Sequence, residues 1–402
     1  MVKVKQSRAV IVIVFAVSLL LPGLLLSRDT DRINHLENRS VWPSPGFLSE
    51  GGGLNRNFVA QFQRYWDDNI AFKELAITIN LMVKYHLFGK FYGPHFYHGK
   101  DGHLFFDVDG SSIRNYQRLN PVSEEEQNEA LQNLIFLNDY FERRAIPFFM
   151  VLIPDKERVY PEYYPDHIVQ QNKDGLPDLE AIVAYARRNS GLNIVSLTDA
   201  LVRGKNSDFY LYPIVEPSHW NMKGAFIGYQ EIMKLLRSVY PDLLILEEDD
   251  FTITTRSTVK QIGPDIKFNN MVYVIYDFEY DYSSIRSTEP LTQSESFLKA
   301  IHGFPNFYYI NPLKPEAPRL LVHGDSYIYA YMLPMLAESF SELFFINVIN
   351  TINIHDPSFT ARALHESAKA FSPDIVLLAM VERGYSFVRP FTHYRDLAAW
   401  QE

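Results

Sequence analysis

A serine at the abrupt end of an apolar run is the residue whose setting first suggests chemistry. Leu320-Leu321-Val322-His323 runs directly into Gly324-Asp325-Ser326-Tyr327. A hydroxyl at a strand-to-helix turn is exposed, and its own N–H opens the following helix, where an oxyanion can be held. Gly324 allows the backbone to turn sharply there. The same residues also suit an ordinary helix cap, in which Asp325 or Ser326 accepts from the next amides. Nucleophilic use of Ser326 requires a base. Of 12 histidines, His219 stands apart because it lies in Glu216-Pro217-Ser218-His219-Trp220-Asn221, just ahead of a helical pattern starting at Met222. Glu216, three residues back across a proline turn, is placed to accept from imidazole Nδ1 and leave Nε2 facing the serine. The competing reading of this stretch is a capping loop with an exposed histidine.

Two further polar runs follow apolar ones. Ile146–Ile153 ends in Pro154-Asp155-Lys156-Glu157-Arg158, and the run closing at Met380 ends in Val381-Glu382-Arg383. If the strands are parallel, all three ends share one rim of the sheet, where open α/β sheets bind ligands. Asp325, Arg383 and Lys156 are then candidates for oxyanion or donor contacts. The remaining polar clusters read otherwise. His86, His95, His98 and His103 match no carboxylate-and-histidine ligand spacing and read as core and surface residues rather than a metal site. Glu247-Glu248-Asp249-Asp250 reads as a solvated loop. With no cysteine in the chain, disulfides, thiolate nucleophiles and Cys-based metal sites are excluded. No metal and no cofactor is expected.

The elements that must position these residues follow from periodicity. Phe58 to Phe88 carries apolar residues at helical spacing. Gly99-Lys100-Asp101-Gly102 is a turn of a short hairpin. Ser123 with Glu126 forms a capping box that opens a helix reaching about Arg144. Strand Ile146–Ile153, helix Asp178–Asn189, strand Asn193–Leu197 and helix Met222–Val239 alternate. Residues 250–315, rich in Thr, Val, Ile and Tyr, predict an antiparallel insertion. Alternation resumes with strand Arg319–Val322, helix Tyr329–Ser339, strand Leu343–Val348, helix Phe359–Phe371 and strand Asp374–Met380. Such alternation implies an α/β fold with a mostly parallel sheet and helices on both faces.

Lys3, Lys5 and Arg8 precede an apolar run from Ala9 to Leu26. Eighteen helical residues span about 27 Å, close to the roughly 30 Å of bilayer hydrocarbon. The run ends in Ser27-Arg28-Asp29 without a small-x-small cleavage site, so residues 1–28 read as a signal anchor and transmembrane helix. The positive-inside rule then exports everything after Arg28. Residues 29–57, broken by prolines and Gly51-Gly52-Gly53, form a tether, and 58–402 form the folded domain. Hydrophobic residues at 47% and charged residues at 21% support a large core. A net charge of -10 disfavours nucleic acid as a partner.

Glu37-Asn38-Arg39, Asp68-Asn69-Ile70-Ala71-Phe72-Lys73, Gly99-Lys100-Asp101-Gly102-His103-Leu104-Phe105, Ile153-Pro154-Asp155-Lys156 with Val159-Tyr160-Pro161-Glu162, Ser218-His219-Trp220, Gly324-Asp325-Ser326-Tyr327 and Glu382-Arg383 occur in this order. In them the chain resembles the AlgJ/AlgX branch of SGNH-hydrolase-like proteins, exported O-acetyltransferase components of bacterial exopolysaccharide machinery. The resemblance implies a three-layer, flavodoxin-like SGNH fold with the His block before the Ser block. It implies acetyl transfer to a polysaccharide hydroxyl through an acyl-serine, with Ser326, His219 and an acid as the catalytic set. It also implies a multi-pass membrane acyltransferase as acetyl donor, and a place at the bacterial inner membrane with the catalytic domain in the periplasm or cell exterior. The family has Asp two residues before the His. Here that position is Pro217, and Glu216 restores the three-residue spacing of the wider SGNH group. A glycan acyl esterase using the same residues and a non-catalytic adaptor of polysaccharide machinery are the alternatives.

Overall fold

A computed structural model describes residues 12, 15–17, 20–21, 23–25, 33–34, 39–48, 52–88, 96–107, 111–119, 121–171, 178–205, 210–262, 266–284, 286–288, 307–347, 358–384, 391–392, 394 and 397. It divides into two compact units, one of residues 1–93 with 259–270 and one of residues 94–258 with 271–402. In the first, helix α1 (Phe58–Asn69) is followed by α2 (Lys73–Phe88), as the apolar spacing predicts. Inside this unit Asp68 and Asn69 are buried. Asp68 accepts from the Trp42 N–H at 2.9 Å, and Asn69 donates to the Trp42 carbonyl at 3.0 Å. Half of the apolar run Ala9–Leu26 lies outside the described residues. Among the described residues no helix is long and apolar enough to cross a membrane.

The second unit carries the α/β architecture. Its entry is the hairpin of β1 (Phe96–His98) and β2 (Leu104–Phe106), antiparallel around the Lys100–Gly102 turn. Helix α3 (Glu124–Glu142) opens with the predicted capping box. Glu126 N–H donates to Ser123 Oγ at 3.2 Å and Ser123 N–H donates to the Glu126 carboxylate at 2.9 Å. Then follow β3 (Phe148–Ile153), α4 (Asp178–Asn189), β4 (Asn193–Ser196) and α5 (Met222–Leu236). Among the described residues, the strands β5 (Thr252–Ile262) and β6 (Ile266–Glu279) pair only with each other. The short strands β7 (Arg286–Thr288) and β8 (Phe307–Ile310) precede β9 (Arg319–Gly324), the one-turn helices α6 (Ser326–Tyr329) and α7 (Leu333–Ala337), β10 (Glu342–Asn347), α8 (Ser358–Phe371) and β11 (Ile375–Val381).

The main sheet has the order β4-β3-β11-β9-β10-β8-β7. The first five strands are parallel, whereas β10–β8 and β8–β7 are antiparallel. The stretch 250–315, expected as one separate insertion, therefore divides. Its first part is the β5–β6 hairpin, and its last part adds two antiparallel edge strands to the main sheet, which is mixed. Period-2 alternation marks a strand without naming the sheet it joins. The single helix expected over Tyr329–Ser339 is instead the pair α6 and α7, with Pro334 in the first turn of α7. Proline is tolerated at that position and would break a continuous helix.

Strand alternation builds the three layers. On one face Phe149, Val151 and Ile153 of β3 join Val322 of β9, Leu377 of β11 and the buried side of α5. On the other, Phe148, Met150 and Leu152 join Leu321, Leu378 and helices α3, α4 and α8. Every residue of β3 and β11 is buried. Each such apolar side chain contributes roughly 1.5–3 kcal/mol by leaving water.

His103, just before β2, is fully buried. Its ring stacks on Tyr163 at 3.8 Å, and neither nitrogen has a hydrogen-bond partner among the described residues. Burial, reinforced by the Lys156 charge, pushes its pKa down to about 3. The unfolded chain takes up this proton near pH 6.5 and the folded chain does not. The stability from a neutral His103 is therefore complete above pH 6.5 and drains as pH falls towards 3, by at most about 1.4 kcal/mol per pH unit. His103→Phe is expected to show a stability deficit that narrows between pH 7 and pH 4.5 in urea unfolding. A gap that stays constant with pH contradicts the assignment.

Candidate functional site

Because β3, β11 and β9 are parallel neighbours, their carboxyl ends meet on one rim. Val381 pairs with Ile153, and Gly324 pairs with Ala379 two residues before the end of β11. The chain leaving β9 thus turns beside the last residues of β11. At Gly324 a Cβ would stand 3.1 Å from the Phe345 ring and 3.3 Å from the Ala379 carbonyl, so glycine lets the turn pack closely against both. Asp325 is buried and its carboxylate is used locally. It accepts from the Tyr327 N–H at 3.0 Å and from the Val381 N–H at 2.6 Å. Burial raises its pKa, against the pull of those two amides. It caps α6 and ties the turn to β11, and so presents Ser326 at the rim.

His219 approaches from the other side. Its Nε2 lies 2.7 Å from Ser326 Oγ. Two residues 107 positions apart thus meet within hydrogen-bond range at the end of the sheet. Glu216 Oε1 faces His219 Nδ1 at 3.9 Å, inside ion-pair range and outside hydrogen-bond range. Both side chains are partly exposed, at 33% for His219 and 28% for Glu216. Glu216 Oε1 also accepts from the Ser218 N–H at 3.4 Å.

The loop that delivers His219 has no regular structure, and buried side chains fix it. Lys156, in the one-turn helix Lys156–Val159 after β3, is 1% exposed. Its ammonium reaches the carbonyls of Pro213 at 2.6 Å, Glu216 at 2.9 Å, Leu104 at 2.9 Å and Ile214 at 3.0 Å. Arg383, just after β11, donates to Ser218 Oγ at 2.5 Å and to the Tyr327 hydroxyl at 3.2 Å, and pairs with Asp155. The Asp155 carboxylate also accepts from the Arg383 N–H at 2.9 Å. Tyr327 in turn donates its hydroxyl to the Ser218 carbonyl, and Trp220 Nε1 donates to the Tyr327 carbonyl at 3.1 Å. Asn221 caps α5 by accepting from the Gly224 N–H. Nearby, Arg158 holds Glu382 with contacts of 2.7 and 2.9 Å.

Of the residues singled out from sequence, Ser326 and His219 are in contact, and Glu216 is beside His219. Lys156, Arg383 and Asp325 sit around this pair, where their hydrogen bonds hold the His loop and the Ser turn. Tyr327, Ser218 and Asp155 were not singled out. Tyr327 and Ser218 flank the two reactive residues, and Asp155 begins the run after β3. That adjacency was the available signal.

Ser326 and His219 open onto a cavity of about 760 Å³ within this unit. Its walls come from the His loop, from Tyr329–Tyr331, and from the β5–β6 hairpin through Arg256 and residues 273–279. A serine hydroxyl with an imidazole at 2.7 Å can attack an acyl carbonyl. Among the described residues, no group of three or more His, Asp or Glu is placed to hold a metal ion. The Lys156 contacts generate a prediction. Lys156→Met strips several carbonyls of their donor, which lowers unfolding free energy by about 2 kcal/mol. Slackening of the His loop lowers kcat for a small ester by at least about tenfold, with KM changed less than about threefold. Urea unfolding and steady-state kinetics check both, and an unchanged kcat refutes the positioning role.

Several solved structures are similar to the chain. PatB1 of Bacillus cereus matches with 16% identity and a TM-score of 0.49, over 72% of this chain and 96% of that one. The O-acetyltransferase domain of Pseudomonas putida AlgJ matches with 15% identity and a TM-score of 0.45, over 77% and 98%. Pseudomonas aeruginosa AlgX matches with 14% identity and a TM-score of 0.39, over 71% and 61%. No curated protein matches. The family model of the SGNH hydrolase-like domain of the acetyltransferase AlgX matches residues 97–297, half of the chain, including Lys156, Glu216 and His219. The chain belongs to that family of SGNH hydrolase-like acetyltransferase domains.

Proposed function

We propose that the protein is an exported O-acetyltransferase that moves an acetyl group to a polysaccharide hydroxyl by way of an acyl-serine. The observation that carries the reading is the 2.7 Å approach of His219 Nε2 to Ser326 Oγ at the mouth of a cavity. His219 Nε2 takes the hydroxyl proton as Oγ attacks the acetyl carbonyl. The imidazolium then returns that proton to the departing donor group, leaving acetyl-Ser326. A sugar hydroxyl attacks next and passes its proton to Nε2, and collapse expels Ser326 Oγ, which recovers the proton. The Ser326 N–H, in the first turn of α6, lacks an intrahelical acceptor and supplies an oxyanion donor.

Glu216 is the acid of the set. It stands 3.9 Å from Nδ1, and a small side-chain shift closes the hydrogen bond that orients the ring. Export belongs to the same proposal. Lys3, Lys5 and Arg8 ahead of the apolar run 9–26 support a single-pass inner-membrane anchor, with a multi-pass membrane acyltransferase as the acetyl donor.

Incubation with an acetyl ester, with and without oligosaccharide, tests the reading. Acetylated sugar is expected with wild type, and Ser326→Ala is expected to abolish it. Acetate alone in the presence of acceptor indicates an esterase instead, and cellular polymer acetylation unchanged by Ser326→Ala indicates an adaptor. Glu216→Gln is expected to lower kcat by at least about tenfold, bounded by the roughly 10⁴-fold effect of losing a triad acid. An unchanged kcat removes Glu216 from the set.

A further inference from the structure

The cavity beside Ser326 is acidic. Its charged lining residues, among the described residues, are Glu216, Asp277, Glu279 and Arg256. The guanidinium is already engaged, since Arg256 Nε donates to Asp277 Oδ2 at 2.8 Å. One cation paired within the wall thus stands against three carboxylates. The wall is also aromatic. Tyr273 from β6 and Tyr331 from the segment after α6 are both half-buried and line the same space. Burial raises both phenols, Tyr331 to about 12, and after burial the nearby Glu216 charge raises each further. Glu216, Tyr273 and Tyr331 therefore cluster around one part of the cavity.

Flat aromatic faces and phenolic hydroxyls suit a sugar ring, whose C–H face is apolar and whose rim donates and accepts hydrogen bonds. Carboxylates suit the hydroxyls of such a ring as acceptors, and they repel any carboxylate, sulfate or phosphate the ring bears. We propose that the acceptor is an uncharged hexose polymer seated between the β5–β6 hairpin and Tyr331, and that Glu216, Asp277 and Glu279 exclude uronate and other anionic glycans. The inference rests on the acetyl-transfer reading, and names the class of acceptor for that same site.

Matched small acceptors isolate the charge. Methyl β-glucuronide is compared with methyl β-glucoside and with its own C6 methyl ester, which is neutral and lacks the C6 hydroxyl as the uronide does, and galacto and manno pairs repeat the comparison. p-Nitrophenyl acetate serves as donor, and its Ser326-dependent cleavage is followed separately. Transfer to the neutral partner of at least one pair is expected to exceed transfer to its uronide by about tenfold or more. Glu279→Lys, an exposed position, is expected to raise the uronide-to-neutral ratio by at least about fivefold. With ester cleavage intact, equal or better transfer to the uronides, transfer to no sugar of any pair, or a ratio unmoved by Glu279→Lys overturns this inference alone. Absence of Ser326-dependent ester cleavage overturns the acetyl-transfer reading, and this inference falls with it.

Discussion

The buried ammonium of Lys156 holds the approach of His219 to Ser326 in place. Lys156 reaches carbonyls of Pro213, Ile214 and Glu216, three members of the segment that ends at His219. A loop without helix or strand must satisfy its main-chain groups some other way. Here those carbonyls point inward at one cation, and its charge strengthens each bond. Removing water from an ammonium is expensive, and the carbonyl dipoles offset part of that expense. The consequence is directional: the loop is drawn onto the end of β3, and His219 lands beside Ser326.

The charge balance of the surroundings follows the same logic. Asp155, Glu157 and Glu382 are buried near Arg158 and Arg383. Arg158 takes Glu382, and Arg383 takes Asp155. Burial, with Asp155 and Glu382 close by, holds the Glu157 carboxyl well above the usual carboxylate range. Arg383 adds a second tie to the loop through Ser218, and Tyr327 adds a third through the Ser218 carbonyl. The residue after Ser326 thus also braces the residue before His219, which couples the Ser turn to the His loop without passing through the Ser326–His219 contact.

Much of this was legible from sequence because it is periodic or local. The buried strands announce themselves as continuous apolar runs, and parallel topology then carries Asp155, Ser326 and Arg383 to one rim. Ser123 and Glu126 identify a helix start because both partners of the capping box lie within one turn. What stayed hidden depends on long-range geometry. The carbonyls that Lys156 gathers lie up to 60 positions away, and nothing in the residues 213–216 signals that they face inward. The hairpin and the edge strands of 250–315 share one alternating pattern, so their separate destinations emerge only from pairing. The cavity wall contributed by Tyr273 and Asp277 was invisible for the same reason.

The pairing of Glu216 with His219 shows how a sequence departure can be absorbed by the backbone. A shorter acid two residues before the imidazole would stand at Pro217, which has no side-chain acceptor and whose ring fixes its φ. Glu216 is one residue further back and one methylene longer. Its carbonyl is held by Lys156, so its backbone cannot drift, and the extra methylene extends the carboxylate back towards the ring. It arrives 3.9 Å from Nδ1, within ion-pair range and short of a hydrogen bond. The same carboxylate lines the cavity beside Tyr273 and Tyr331. In the proposed reaction one side chain therefore serves the base and shapes the acceptor wall, and the position of Lys156 governs both.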